Sequence, residues 1–322
     1  MRDSQLLLVD QTLHSCHELN SCCHTTYAEK GVVLMSDSGQ PDGSEEGEIH
    51  RAVSDDGTEI AGRVYGDGPP LVLVHGAMAD GEFIWEPLLP SLTDRFTCYA
   101  MSVRNRGLSG HGDDLSFERR MQDVRAFVES IGEPTRLLGW SQGGMLALDV
   151  AANTDAVSAV AGYEPPAFEV ISEDELAHFT DIVERMSELV ATDEPTAAAR
   201  TFLEWVANEE ELAHPGAEDL IEGCAQNVPV FLQEVQELDI DGPSPTSPSR
   251  LAEIDVPVLL LCGTRSVPDP WLLDSVDHIA EHVSDARVRS VDGVGHMAPA
   301  TDPETVATEL EEFFTAMPEP SQ

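Results

Sequence analysis

The sequence predicts an α/β fold: a mostly parallel, doubly wound sheet interrupted by one inserted helical cap. Three observations carry that prediction. Short continuous apolar runs recur along the chain, as strands buried on both faces require. Amphipathic helical patterns separate most of these runs, and strands alternating with helices build a parallel sheet covered on both sides. The alternation then breaks once, over residues 165–250, where only helical spacing is found. With 322 residues and 41% hydrophobic content the chain can bury a sizeable core. Its composition excludes collagen-like, coiled-coil and wholly disordered classes.

Taken in order, residues 1–34 stand apart. They hold Cys16, Cys22, Cys23 and the sole lysine, Lys30. Neither the five-residue gap nor the vicinal cysteine pair has zinc-knuckle spacing, so no metal is expected there. The stretch reads as an upstream extension or disordered tail, with Met35 as the true start. Residues 35–48, rich in Ser, Asp, Gly and Glu, continue it as a solvated leader. The core is expected over 49–164 and 251–322. Strand patterns at 50–53 and 59–64 flank the Asp56-Gly57 turn. Apolar runs follow at 70–74, 97–102, 135–139 and 157–163, with helical patterns at 85–92, 116–131 and 142–152 between them. Glu164-Pro165-Pro166 ends this alternation. Leu176, Phe179, Val183, Met186 and Val190 then recur at helical spacing, and Phe202, Trp205 and Val206 mark a further helix. A segment of this length with its own amphipathic helices is an inserted cap over 165–250, not a loop. The sheet resumes with strands at 257–262 and 286–291 and helices at 271–282 and 302–316.

The charge balance is extreme. Asp and Glu total 60 against 17 Lys and Arg, a formal net charge of −43. No basic face can be assembled, which excludes nucleic acid and an anionic membrane surface as partners. No apolar stretch approaches the length of a bilayer span, and no secretory leader is legible. The carboxylates are interleaved with apolar residues from Asp55 to Glu319, which places them on a folded surface. Their mutual repulsion opposes compaction in dilute buffer. At molar salt the Debye length falls to about 3 Å and the repulsion is screened. A cytoplasmic protein of a salt-accumulating cell is expected, and the charge usage resembles that of halophilic archaeal proteins. Cys98, Cys224 and Cys262 sit in apolar contexts, as reduced core cysteines do.

Three motifs carry chemistry. Gly139-Trp140-Ser141-Gln142-Gly143 is G-x-S-x-G, placed after a buried strand and opening a helix. The turn must be sharp enough to lift Ser141 Oγ clear of the sheet, and small flanking residues permit it. The same turn aims the Gln142 N–H, at a helix N-terminus, toward a developing oxyanion. His75-Gly76-Ala77-Met78 follows the strand at 70–74, where a second oxyanion donor is needed; Ala77 N–H is the first choice and Met78 the next. His75 itself reads as structural, its ring fixing the loop. Gly293-Val294-Gly295-His296-Met297-Ala298-Pro299 lies between the last strand and the last helix, and His296 fits a general base within reach of the serine. His111, His178, His214, His278 and His282 read as surface or cap residues.

Together these residues resemble the α/β-hydrolase fold family over roughly Glu48 to Phe314. Arg104-Asn105-Arg106-Gly107-Leu108-Ser109-Gly110 looks like the family's Arg-Gly-rich loop after the fourth strand. The closest resemblance is to capped serine esterases and cofactor-free haloperoxidase-like members. It implies a Ser–acid–His triad in that chain order, a cap covering the site, a small acyl substrate, and no metal or organic cofactor. The serine separates this chain from the dehalogenase and epoxide-hydrolase branches, which carry aspartate there. One departure stands out. The family's acid usually falls three residues past the Gly ending the seventh strand, and position 266 is serine. Glu164, at the end of the sixth strand, and Asp269, between Pro268 and Pro270, are the two replacements; Asp292 is too close to His296 and ranks behind both. The expected reaction is hydrolysis of an ester, thioester or lactone. Acyl transfer, perhydrolysis or C–C cleavage by the same triad, and a ligand-binding member without catalysis, are the alternatives.

Overall fold

The computed structural model describes residues 47–238, 244–267 and 270–316. The expected leader, apart from its last two residues, and its cysteines lie outside the described residues, as does Asp269. From Glu48 onward the described chain forms one compact unit.

Eight strands make one sheet: β1 (Glu48–Val53), β2 (Glu59–Tyr65), β3 (Pro70–Val74), β4 (Thr97–Met101), β5 (Thr135–Trp140), β6 (Val157–Tyr163), β7 (Val258–Gly263) and β8 (Ala286–Val291). Their order is β1-β2-β4-β3-β5-β6-β7-β8. β1 and β2 pair antiparallel, as do β2 and β4, and every other neighbour is parallel. β3, β5 and β7 are buried along their whole length, which is why β3 and β7 read as unbroken apolar runs and β5 as one after Thr135-Arg136. The register matters for function. Val74 sits beside Gly139, Trp140 beside Tyr163, and Tyr163 beside Leu261. The carboxyl ends of β3, β5, β6 and β7 therefore form one edge, from which His75, Ser141, Glu164 and Thr264 emerge as neighbours.

Short helix α1 (Leu89–Leu92) precedes β4, and α2 (Phe117–Ile131) and α3 (Gln142–Asn153) flank β5. The Ser116 side chain caps α2 at its start, and Gly132, at φ 75°, ends it in the left-handed conformation that spares a Cβ clash. The sequence pattern at 85–92 overstates the first helix. Residues 81–88 are turns and only Leu89–Leu92 is helical; Pro90, lacking an N–H, suits the first turn and blocks extension of the helix back over 85–88. Val72, Val74, Leu137, Val160 and Leu260 of the sheet pack on Phe127, Leu146, Val150, Val276 and Ile279. Each such side chain contributes about 1.5–3 kcal/mol when fully buried.

Between β6 and β7 the chain is helical: α4 (Glu173–Ala191), α5 (Pro195–Val206), α6 (Glu209–Leu212), α7 (Ala217–Ala225), α8 (Val228–Gln236) and α9 (Pro248–Leu251). A capping box of Ser172 and Glu175 opens α4. The far end of this insertion is clamped to the core. Glu234 of α8 pairs with Arg106 at 2.7 Å and Arg120 at 3.2 Å, all three fully buried. Asn227 Nδ2 donates to Asp80 at 2.9 Å, and Leu115 N–H donates to Glu237 at 2.7 Å. After β7 come α10 (Trp271–His282), β8, α11 (Ala298–Thr301) and α12 (Pro303–Thr315); the single helix expected over 302–316 is preceded by the separate turn of α11.

The expectation that carboxylates sit on the surface has exceptions. Asp80, Asp123, Asp149, Glu164, Glu211 and Glu234 are buried, and each has a hydrogen-bonding or ionic partner. Arg104 shows the pattern: fully buried, it pairs with Asp123 at 2.6 Å and Asp56 at 2.8 Å. Among the described residues no helix is long and apolar enough to cross a membrane.

Candidate active site

Ser141 stands between β5 and α3 at φ 54° and ψ −123°, a backbone conformation that costs a non-glycine residue about 1–3 kcal/mol. The turn is held by Ser141 N–H donating to Tyr163 O at 2.9 Å and Gly144 N–H donating to Ser141 O at 2.8 Å. Its tightness explains the neighbouring glycine: a Cβ on Gly143 would run into the carbonyls of Val74 and His75. Gln142 is the first residue of α3, so its N–H has no partner within the helix. Met78, after β3, and Glu164, after β6, also have positive φ, at 56° and 46°. Backbone strain is thus gathered at three strand ends around one point.

Glu164 is fully buried and turned back over the end of β7. Its Oε1 accepts from Gly263 N–H at 2.7 Å and from the Ser266 hydroxyl. Its Oε2 accepts from His296 Nδ1 at 2.7 Å. A carboxylate acceptor fixes the proton on Nδ1 and leaves the Nε2 lone pair for a neighbour. The backbone around the imidazole is held as firmly. Tyr163 Oη donates to Gly295 O at 2.6 Å, Trp140 Nε1 donates to His296 O at 2.9 Å, and Met297 N–H donates to Glu211 Oε1 at 2.8 Å.

Of the two acids left open by the sequence, the structure brings Glu164 to His296. Asp269 lies outside the described residues, and Asp292 instead accepts from Thr264 Oγ1 at 3.2 Å. His75 does fix its loop: Nδ1 donates to Gly76 O at 2.9 Å, and Nε2 accepts from Val103 N–H at 3.2 Å. Burial, with the Arg106 charge second, holds its pKa down to about 3. Cys98, Cys224 and Cys262 are free thiols, buried, and burial raises the pKa of each.

Ser141, Gln142, Ala77 and His296 line one cavity of about 60 Å³. Its remaining wall is built by aromatic residues of the insertion, which also pack on one another. Phe168, Phe179, Phe202, Trp205 and Phe231 all face this cavity, together with Trp271 of α10. Trp205 and Trp271 stack at 5.9 Å with an interplanar angle of 20°. Among the described lining residues only His296 can carry charge. Sequence reasoning missed Ser266 as a partner of the acid, although its position was the one singled out as departing from pattern. It also missed Glu211, whose legible signal was the capping box Asn208-x-x-Glu211.

A sharp strand–turn–helix serine beside a buried acid–imidazole pair, all at the carboxyl edge of a mostly parallel sheet, defines the α/β-hydrolase class. Residues 71–309 match the model of the Alpha/beta hydrolase family, and the chain belongs to it. A pimeloyl-[acyl-carrier protein] methyl ester esterase of Methylococcus capsulatus is 37% identical over 86 residues, 27% of this chain and 32% of that protein. The match thus spans about a third of the length of such curated relatives. Among solved structures, an esterase from a Rhodococcus species is similar at TM-score 0.67 and 24% identity, over 84% of this chain and 99% of that one. An α/β hydrolase from Sphaerobacter thermophilus is similar at TM-score 0.62 and 24% identity, over 82% and 100%.

Proposed function

We propose that this chain is a serine hydrolase of small carboxylic esters, thioesters or lactones, with Ser141, His296 and Glu164 as its triad. The observation that carries the reading is the 2.7 Å bond from His296 Nδ1 to the buried Glu164, with His296 and Ser141 lining one cavity. His296 Nε2 takes the Ser141 proton as Oγ attacks the carbonyl carbon. The amides of Gln142 and Ala77 stabilise the tetrahedral oxyanion. His296, now an imidazolium held by Glu164, returns the proton to the departing alcohol or thiol. Water then attacks the acyl-enzyme with the same imidazole as base, releasing the acid and Ser141.

The aromatic wall supports a neutral, apolar acyl or alkyl group. A charged substituent in that cavity would lose its hydration among described lining residues of which only His296 can carry charge. The helical insertion serves as the cap, since α5 and α8 supply much of this wall. The curated relatives are named for a methyl ester borne on an acyl-carrier protein; a small free ester suits the 60 Å³ cavity better. The net charge of −43 supports work at molar salt in a cytoplasm.

Fluorophosphonate labelling in molar KCl, followed by peptide mass spectrometry, tests the reading. One adduct on Ser141, absent from Ser141→Ala, is expected, together with turnover of short neutral esters. No adduct on folded protein refutes it and puts a non-catalytic ligand-binding member in its place. Turnover that yields only exchange products with added alcohol or peroxide makes the chain an acyltransferase or perhydrolase.

A further inference from the structure

Three backbone groups of the Gly295–Met297 segment are pinned by side chains. Two of the pins, Tyr163 and Trp140, come from core strands β6 and β5. The third, Glu211, comes from the insertion. Its carboxylate straddles the junction: Oε1 accepts from Met297 N–H at 2.8 Å, and Oε2 accepts from Asn208 N–H at 3.0 Å. The approach is close enough that a Cβ on Gly295 would stand 2.6 Å from Glu211 Oε2. Asn208 adds a second tie to the core, its Nδ2 donating to Arg265 O at 3.2 Å.

We propose that Glu211 is a positioning residue through which the seated insertion sets His296 for its role as base, and that the role needs both of its carboxylate oxygens. The inference rests on the serine-hydrolase reading of the site. Each carboxylate oxygen meets one backbone amide, so Gln, with a single acceptor oxygen, satisfies only one of the two. The carboxylate is buried, where a lost bond goes uncompensated. Burial and the nearby Glu164 charge raise the Glu211 pKa, while the two amide bonds and His296 oppose that shift. Without this carboxylate Met297 N–H has no acceptor, and the segment carrying His296 keeps only its two pins from the core strands.

The charged surroundings are these. Glu209 and Glu210 lie on the same short helix, and Arg265 pairs with Glu210 while also feeling Glu211. Tyr163 and Glu164 face it from β6. Glu211 also borders a second cavity of about 260 Å³, on whose wall Glu86, His214 and Asp219 stand. Arg265 is tied to the exposed Glu210.

The test compares wild type, Glu211→Gln and Glu211→Ala in molar KCl, after fluorophosphonate labelling of Ser141 has been established in wild type. Expected for Glu211→Gln are a folded protein, an unchanged KM, and a kcat lowered about fivefold to twentyfold, as the loss of one hydrogen bond to a buried amide predicts. Glu211→Ala, which leaves Met297 N–H without its acceptor, should lower kcat further. Wild-type kcat in Glu211→Gln overturns the proposal while leaving the hydrolase reading intact. A wild-type chain that takes no label at Ser141 overturns both.

Discussion

Replacing Glu164 with Gln isolates the acid's part in the site with almost no change in volume. The structure dictates how the amide will sit. Two donors, Gly263 N–H and the Ser266 hydroxyl, point at Oε1, so the single amide oxygen is held there. The NH₂ group is then left facing His296 Nδ1, 2.7 Å away in the native arrangement. Two donors cannot meet, so the imidazole must move its proton to Nε2, the atom that should accept from Ser141. A base locked in the wrong tautomer loses about 10⁴ in kcat, equivalent to about 5.4 kcal/mol at 1.36 kcal/mol per decade. The assay is turnover of a short neutral nitrophenyl ester in molar KCl, with KM recorded alongside kcat. A fall of 10³–10⁴ in kcat with KM within about threefold is expected. Asp269→Asn, made in parallel, should retain activity. If Glu164→Gln keeps more than a tenth of wild-type kcat, or Asp269→Asn loses it, the assignment of the acid is wrong.

Ser266→Ala removes one hydrogen bond to the Glu164 carboxylate, a charge-assisted bond contributing about 1.5–3 kcal/mol. It should lower kcat roughly tenfold without changing KM; steady-state kinetics decide, and wild-type kcat counts against the supporting role. Glu234→Ala leaves Arg106 and Arg120 buried without their shared partner, and breaking such a pair costs about 3–5 kcal/mol. Urea unfolding at fixed KCl should show that loss as a lower midpoint. His75 makes stability depend on pH with a definite sign. Its folded pKa is depressed to about 3 from an ordinary value of 6.5, so between those limits only the unfolded chain binds the proton. Stability therefore falls as pH drops below 6.5, by about 2 kcal/mol at pH 5 from this group alone. Unfolding free energies of wild type and His75→Asn at pH 7 and pH 5 should differ in slope accordingly; equal slopes would count against the buried neutral imidazole.

How much of this was legible follows from which signals are local. The elbow around Ser141 is a local constraint, since a turn this tight admits few residues, so sequence alone placed Ser141 between a strand and a helix that opens at Gln142. His296 was found because its loop occupies a predictable place in chain order. The acid was not resolved, because spacing along the chain does not say where a side chain points. Glu164 reaches His296 only because its backbone takes φ 46° and folds the carboxylate back over β7. Ser266 looked like a gap in the pattern and is instead a donor that steadies a carboxylate arriving from the neighbouring strand. Glu211 was hidden by composition: one acid among 60 attracts no notice until its burial is seen. The aromatic residues of the insertion were visible at helical spacing, but period alone does not distinguish a helix's inward face from one lining a cavity. The turns over 81–88 imitate a helix in pattern, and Pro87 within them and Pro90 just beyond were the evidence against it.

The buried Arg106–Glu234–Arg120 contact behaves unlike the charges elsewhere on the insertion. Pairs such as Arg185–Glu188 on α4 and Arg200–Glu218 between α5 and α7 stand in water, where dissolved ions compete with them. No mobile ion reaches three side chains from which solvent is excluded. In passing from dilute buffer to brine, the attraction holding the outer helices therefore fades while the grip of α8 on the core keeps its full strength. The insertion has one end moored independently of the medium, and the register of Phe231 against the Ser141 cavity is inherited from that mooring.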